Sequence, residues 1–264
     1  MSALPLLDCF IRGEVDAEVA MLAAQGALAP RADEQLAILV YLVTHDETQV
    51  ATVAGQTIAA LPVEAIAGLI ARSDCSDKVR AFFAARGIMP AKVATEDVEA
   101  PLVDTDSEAV LEAEILEAEI PEAEAVVPGR VPLSAMTVPQ RLKLAMKGSR
   151  EQRAVLVRDP NRMIAAAVMS SPKLSQIEVE AIARMTNVAE DVLRTIAMNR
   201  SWMRKLAVAT ALVRNPKTPA AISLHLLPRM SQRDVKNLSI DRNVPESLRL
   251  NAKKMMQKQQ DRQK

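Results

Sequence analysis

The chain has 264 residues, with 33 Lys/Arg balancing 33 Asp/Glu and 49% apolar residues. That composition excludes a chain disordered or fibrous throughout and leaves enough apolar mass for two modest domains. Five aromatics (Phe10, Tyr41, Phe82, Phe83, Trp202) stand among abundant Ala, Leu, Val, Ile and Met, which favours close helix packing over a sheet sandwich and makes all-α the expected fold class.

Residues 1–11 lack a basic start and are interrupted by Asp8, so they do not read as a secretory signal. The longest uncharged run, residues 48–63, is too short and too rich in Thr and Gln for a bilayer span. Two cysteines, Cys9 and Cys75, make neither a disulfide framework nor a four-ligand zinc site. A cytoplasmic protein with buried thiols is expected.

Residues 1–90 carry 6 Lys/Arg against 11 Asp/Glu and read as a helical-repeat domain of five short helices. Leu36, Leu39, Val40 and Val43 share a helical face, residues 44–48 interrupt it, and Val50, Val53, Ala54, Thr57 and Ile58 restart the period. Pro62 opens the next helix, whose apolar stripe is Ile66, Leu69 and Ile70. Ser76-Asp77 caps the helix bearing Val79, Phe82 and Phe83, and Gly87 ends it.

Residues 91–138 carry 2 Lys/Arg against 12 Asp/Glu and are broken by Pro101, Pro121, Pro128 and Pro132. The stretch Leu111-Glu112-Ala113-Glu114-Ile115-Leu116-Glu117-Ala118-Glu119-Ile120 is low in complexity. Charge repulsion and proline predict a disordered acidic linker, with a sharper alternative in which it folds back on the basic domain that follows.

Residues 139–264 carry 25 Lys/Arg against 10 Asp/Glu, divided into a basic helical-repeat domain (139–256) and a polar basic tail (257–264). Asp159-Pro160, Ser171-Pro172 and Asn215-Pro216 each place a small polar residue before proline ahead of an apolar run, and are expected to be helix starts. Asn187-Val188-Ala189-Glu190 and Asn243-Val244-Pro245-Glu246 supply a second starting phrase with an acid in the first turn. Asp159, Asn199 and Asp241 each follow an apolar helix and are nearly evenly spaced, which fits a recurring unit of two to three helices.

Asn215-Pro216-Lys217-Thr218-Pro219, followed by Ile222, Leu226, Asp234-Val235-Lys236 and Leu238, resembles the leucine-rich repeat variant pattern, and residues 171–194 are similar but looser. The wider resemblance, over about residues 171–253, is to HEAT and armadillo-like helical repeats. It implies an α-solenoid with a right-handed superhelical stack used for partner binding. The units here are longer than a strict variant repeat, and the cysteine cluster of one branch of that family is missing.

Two histidines, His45 and His225, lie far apart, the seven glycines never cluster into a phosphate loop, and paired acids such as Glu178/Glu180 and Glu190/Asp191 read as solvated helix faces. No catalytic, cofactor or metal residue is nominated, and no cofactor is expected. The basic domain directs attention to Arg150, Arg153, Arg158 and Arg162, and to Arg194, Arg200, Trp202, Arg204 and Lys205, as candidate partner-binding residues. The expected role is a non-enzymatic adaptor or scaffold for an acidic protein partner, modulated by the acidic linker. The alternative is phosphate-backbone binding to nucleic acid, for which the block offers a single aromatic stacking platform.

Overall fold

Helix boundaries along this chain are set by short polar side chains that satisfy the end groups a helix leaves unpaired. The computed structural model describes residues 4–45, 49–95, 98, 100–105 and 133–261, and all regular structure among the described residues is helical. In the amino-terminal block, α1 (Pro5–Ile11), α2 (Ala17–Ala24), α3 (Ala32–His45), α4 (Gln49–Ala60), α5 (Val63–Ile70) and α6 (Asp77–Ala84) make six helices where five were expected. The addition lies ahead of Gln25, where no apolar period singles out two short helices. Asp16 and Ser76 accept the amides of Val19 and Val79 as N-caps, and Gly87, at φ +77°, closes the end of α6 as the Ile88 amide reaches Phe83 O.

The carboxy-terminal block runs through α7 (Val138–Lys147), α8 (Arg150–Leu156), α9 (Arg162–Ser170), α10 (Gln176–Arg184) and α11 (Glu190–Met198). It continues with α12 (Arg200–Met203), α13 (Leu206–Arg214), α14 (Ala220–Leu226), α15 (Gln232–Ile240) and α16 (Glu246–Asp261). Gln140, Gln152 and Glu178 reach back to the amides of Thr137, Ser149 and Ser175, closing the first turns of α7, α8 and α10.

Two of the three polar-proline phrases are helix stops, which corrects the expectation that they start helices, whereas Asp159-Pro160 does lead directly into α9 and its cap Asn161. Ser171 and Asn215 follow the last residues of α9 and α13, and the next helices begin only after Ser175 and Pro219. The side chains of Asp159, Ser171, Asn199, Asn215 and Asp241 each accept the backbone amide two residues on. Asn161 repeats it toward Met163, so one turn chemistry recurs at six positions, and at Ser171, Asn199, Asn215 and Asp241 it lets the backbone leave the helix with an amide satisfied.

Two of these turns also bind the preceding hairpin. The Ser171 hydroxyl donates to Met146 O at 2.7 Å, and Asn215 Nδ2 donates to Ala183 O and Met185 O at 2.8 Å each. Lys173 and Lys217, two residues on in each phrase, donate Nζ to Lys147 O and Val188 O. Proline in between cannot extend the helix, so a small polar residue, proline and lysine together stop one helix and cap the carbonyl end of its neighbour.

The two blocks share one apolar core. Helix α1 packs on α9, and Arg31 reaches across by donating its backbone amide to Ser170 O and its Nη2 to Met169 O. The described residues of 91–105, expected to begin the linker, lie instead as a strap on the amino-terminal block. Ala91 and Thr95 donate to Ala67 O and Gly68 O, while Gln35 Oε1 accepts from Leu102 and Val103 and its Nε2 donates to Val103 O. A Cβ at Gly26 would stand 2.7 Å from Val103 Cγ1, so the strap lies where only glycine admits it. Asp104 then pairs with Lys147 at 2.6 Å, tying the strap to α7. Residues 106–132, including the Leu111–Ile120 stretch, lie outside the described residues, and Leu133 already begins a short 3₁₀ turn ahead of α7.

No single helix among the described residues is long and apolar enough to cross a membrane. Helices α4 and α5 would qualify only as a pair, and they are bent by 98°.

Candidate partner-binding surface

The nine candidate residues separate by burial and pairing. Arg153 is buried, which corrects its assignment to the partner-facing surface. Its Nε and Nη2 hold Glu178 Oε1 at 2.9 and 2.8 Å, and Nη1 donates to Gly148 O at 2.7 Å. Glu178 Oε2 accepts from the Ser175 amide and hydroxyl, so every nitrogen and oxygen of the two charged groups has a polar partner. Burial alone would raise the Glu178 carboxyl, but the Ser175 and Arg153 donors outweigh it and hold the pKa below the ordinary value.

Trp202 is buried as well and offers no exposed anchor. Asn199 caps the short α12 by accepting the Ser201 and Trp202 amides, which fixes the indole inward. Arg31 from the other block lies over the ring, 5.0 Å from Cζ to the centroid.

Arg162 and Arg194 are exposed but matched, to Asp191 at 2.9 Å and Glu190 at 2.5 Å. Arg150, Arg158, Arg200, Arg204 and Lys205 are exposed and make no ion pair among the described residues. Three of these five fall together at the corner between α12 and α13. A fourth cation arrives from the turn after α14, where Arg229 donates Nη2 to Met203 O at 2.7 Å, one residue before Arg204.

Beside this corner a groove of about 390 Å³ runs over one face of α13. Leu206, Ala207, Thr210, Ala211 and Arg214 form that face, and Arg184 and Thr186, at and just beyond the end of the adjacent α10, form the opposite wall. Asn215 and Pro216 close one end, so the stop phrase that ends α13 also shapes the groove. Arg184 pairs with Glu180, and Arg214 pairs with Asp234 at 2.8 Å, each through Nη2.

Sequence reasoning missed Arg184, Arg214 and Arg229. Each is the last basic residue of its helical segment, and the available signal was that basic residues gather in last turns, where they complement the helix dipole. Nothing in their spacing announces that Arg184 and Arg214, at the ends of two helices with α11 and α12 between them in the chain, line one groove.

Elsewhere, Glu34 is buried at the junction of the blocks, accepting the Leu6 and Leu7 amides at 2.7 and 3.1 Å. Burial pushes its carboxyl up to about 7, against the opposing pull of the Ser170 hydroxyl, the Leu7 amide and the Arg31 guanidinium. The Ser170 hydroxyl has no hydrogen bond of ordinary geometry, so the amides are the firmer contacts. Burial raises the Cys9 thiol to about 12, which makes it inert at neutral pH. His45 stacks on Tyr41 at 4.5 Å at the end of α3, and no group of three or more His, Cys, Asp or Glu among the described residues could hold a metal ion.

Comparison of the chain with family models, with curated proteins and with solved structures returned no match.

Proposed function

We propose that this protein is an adaptor whose basic carboxy-terminal helical array binds an acidic protein partner. The observation that carries the reading is the gathering of Arg200, Arg204, Lys205 and Arg229 at one exposed corner, without ion pairs among the described residues, beside an open groove with an apolar floor. Cations left unmatched attract an acidic surface over a Debye length, and apolar surface next to them rewards a partner that also carries side chains to bury. The resemblance to HEAT, armadillo and leucine-rich repeat variant arrays supports the same reading, because α-solenoids present extended surfaces to partners. In this view the protein is a cytoplasmic scaffold, and residues 106–132 compete with the partner for the basic surface.

The rival is phosphate-backbone binding, which the net excess of cations on residues 139–264 would also serve. Affinity capture with the full chain, with and without nuclease, separates the two. Acidic proteins retained after nuclease treatment are the expected result, and loss of every partner on nuclease treatment would overturn the adaptor reading.

A further inference from the structure

We infer that the groove along α13 is the point at which the partner is read, and that it takes a short acidic segment carrying an aliphatic side chain between carboxylates. The inference rests on the adaptor reading and narrows it to one site and one ligand chemistry.

The groove is apolar in the middle, with two arginines in its lining and Lys205 just outside it, next to Leu206. Ala207, Thr210 and Ala211 form a floor of small residues, and Leu206, nearly half exposed, supplies an apolar rim with no core to fill. Lys205 stands at one end of α13, and Arg214, with Arg184 across the groove, at the other. The helical rise from Lys205 to Arg214 separates those ends by about 13 Å, which two to three turns of a helix or four residues of extended peptide span.

Arg184 and Arg214 are already paired, but each uses only Nη2 for its own acid. A guanidinium carries five donors, so the rest of the fork can take a second carboxylate while the first stays in place. Exposed pairs of this kind are also worth little, so exchanging one acid for another costs little.

A nucleic-acid backbone would meet the cations but leave Leu206 and the alanine floor without apolar contact. An open trough suits a peptide, which buries one face, better than a small metabolite, which needs enclosure on most sides. The chemistry that satisfies both the ends and the middle is Glu or Asp flanking Leu, Ile or Val.

The test is fluorescence anisotropy at low salt, with a labelled synthetic dodecapeptide of Glu, Leu and Ile added to the full chain. Ala207→Glu places bulk and negative charge on an exposed floor position, and Arg150→Glu makes a larger charge change outside the groove. Ala207→Glu is expected to weaken binding at least tenfold, and Arg150→Glu less than threefold. Leu206→Ala, a truncation at a rim position nearly half exposed, is expected to weaken binding about threefold and guards against a folding defect in the glutamate variant. Equal weakening by Ala207→Glu and Arg150→Glu, or no binding at all, would overturn the site. So would binding seen only when Glu112, Glu114, Glu117 and Glu119 are changed to Gln, which would give the groove to the chain's own acidic stretch. If Ala207→Glu still captures nuclease-resistant partners at the native level, the groove assignment falls while the adaptor reading stands.

Discussion

The Arg31 guanidinium, carried by the amino-terminal block, covers the ring of Trp202 in the carboxy-terminal block, with Cζ 5.0 Å from the centroid. Arg31 also donates its amide to Ser170 O and Nη2 to Met169 O, so one residue ties α9 and α12 to the start of α3. A cation over an indole shielded from solvent is worth roughly 1–2 kcal/mol. Arg31→Met, which keeps the volume and removes the charge, is expected to lower stability by about 2 kcal/mol once the carbonyl bonds are counted. Trp202 is the single tryptophan in the chain, so its emission reports the contact directly. A red shift in Arg31→Met before global unfolding is expected, and unchanged emission and stability would show that the blocks do not depend on this contact.

Arg153 and Glu178 supply a second prediction. Both are buried, and every polar edge of the pair is met by Gly148 O, Ser175 or the other partner. Removing one charge strands the other, at a cost of about 3–5 kcal/mol, whereas replacing both with apolar residues of similar volume is close to neutral. Arg153→Met is therefore expected to be far less stable than Arg153→Met/Glu178→Leu in urea denaturation. Additive losses would mean that the pair is not coupled as the geometry requires.

Glu34 gives the pH dependence. Its folded pKa, near 7, lies above the ordinary carboxylate value of about 4.5, so between those values the folded state binds more protons than the unfolded one. The stability it contributes is complete below about pH 4.5 and is lost as pH rises through 7. Glu178 works in the opposite direction, since its depressed pKa makes its contribution disappear only as pH falls below the ordinary range. Urea denaturation at pH 5.5 and 7.5 should show the chain less stable at the higher pH. Glu34→Gln, whose oxygen can still accept the Leu6 and Leu7 amides, should flatten that difference, and a slope that survives the substitution would assign it to another group.

Much of the architecture was legible in residues whose preference is local. The 3.6-residue apolar period marks α3, α4 and α5, and Ser76 and Gly87 bound α6 where capping chemistry places them. Asp159-Pro160 leads into α9 as its pattern suggests, but Ser171-Pro172 and Asn215-Pro216 belong to the other end of the helix. Asn-Pro can precede a helix or follow one, and the deciding contact, Asn215 Nδ2 to Ala183 O, spans 32 residues. The same non-locality hid the groove. Arg153 reads as a surface residue because Arg suits interfaces, and only its packing against Glu178 shows it buried. The strap reads as linker because its four acids face a single Lys92 and Pro101 interrupts it, while its anchors, Gln35 in α3 and Gly26 ahead of α3, lie three and four helices back in the chain and carry no linker signal.

Asn215 tests the stop phrase. At 3% exposure it donates twice, to Ala183 O and Met185 O, and accepts the Lys217 amide at 3.0 Å. Asn215→Ala leaves three backbone groups without that partner, and each buried unmet group costs about 1–3 kcal/mol, so a loss of at least about 2 kcal/mol is expected. Asn215→Asp preserves the acceptor for Lys217 but sets a carboxylate against two carbonyl oxygens, and should be no more stable than the alanine variant. If aspartate rescues stability, the turn alone matters and the bridge to the preceding hairpin does not. Ser171, which spans to Met146 O with one hydroxyl, should show a smaller loss on substitution by alanine. That ordering follows from the number of neighbouring carbonyls each side chain satisfies, two against one, and hydrogen exchange at the ends of α10 and α7 would locate where each loosening occurs.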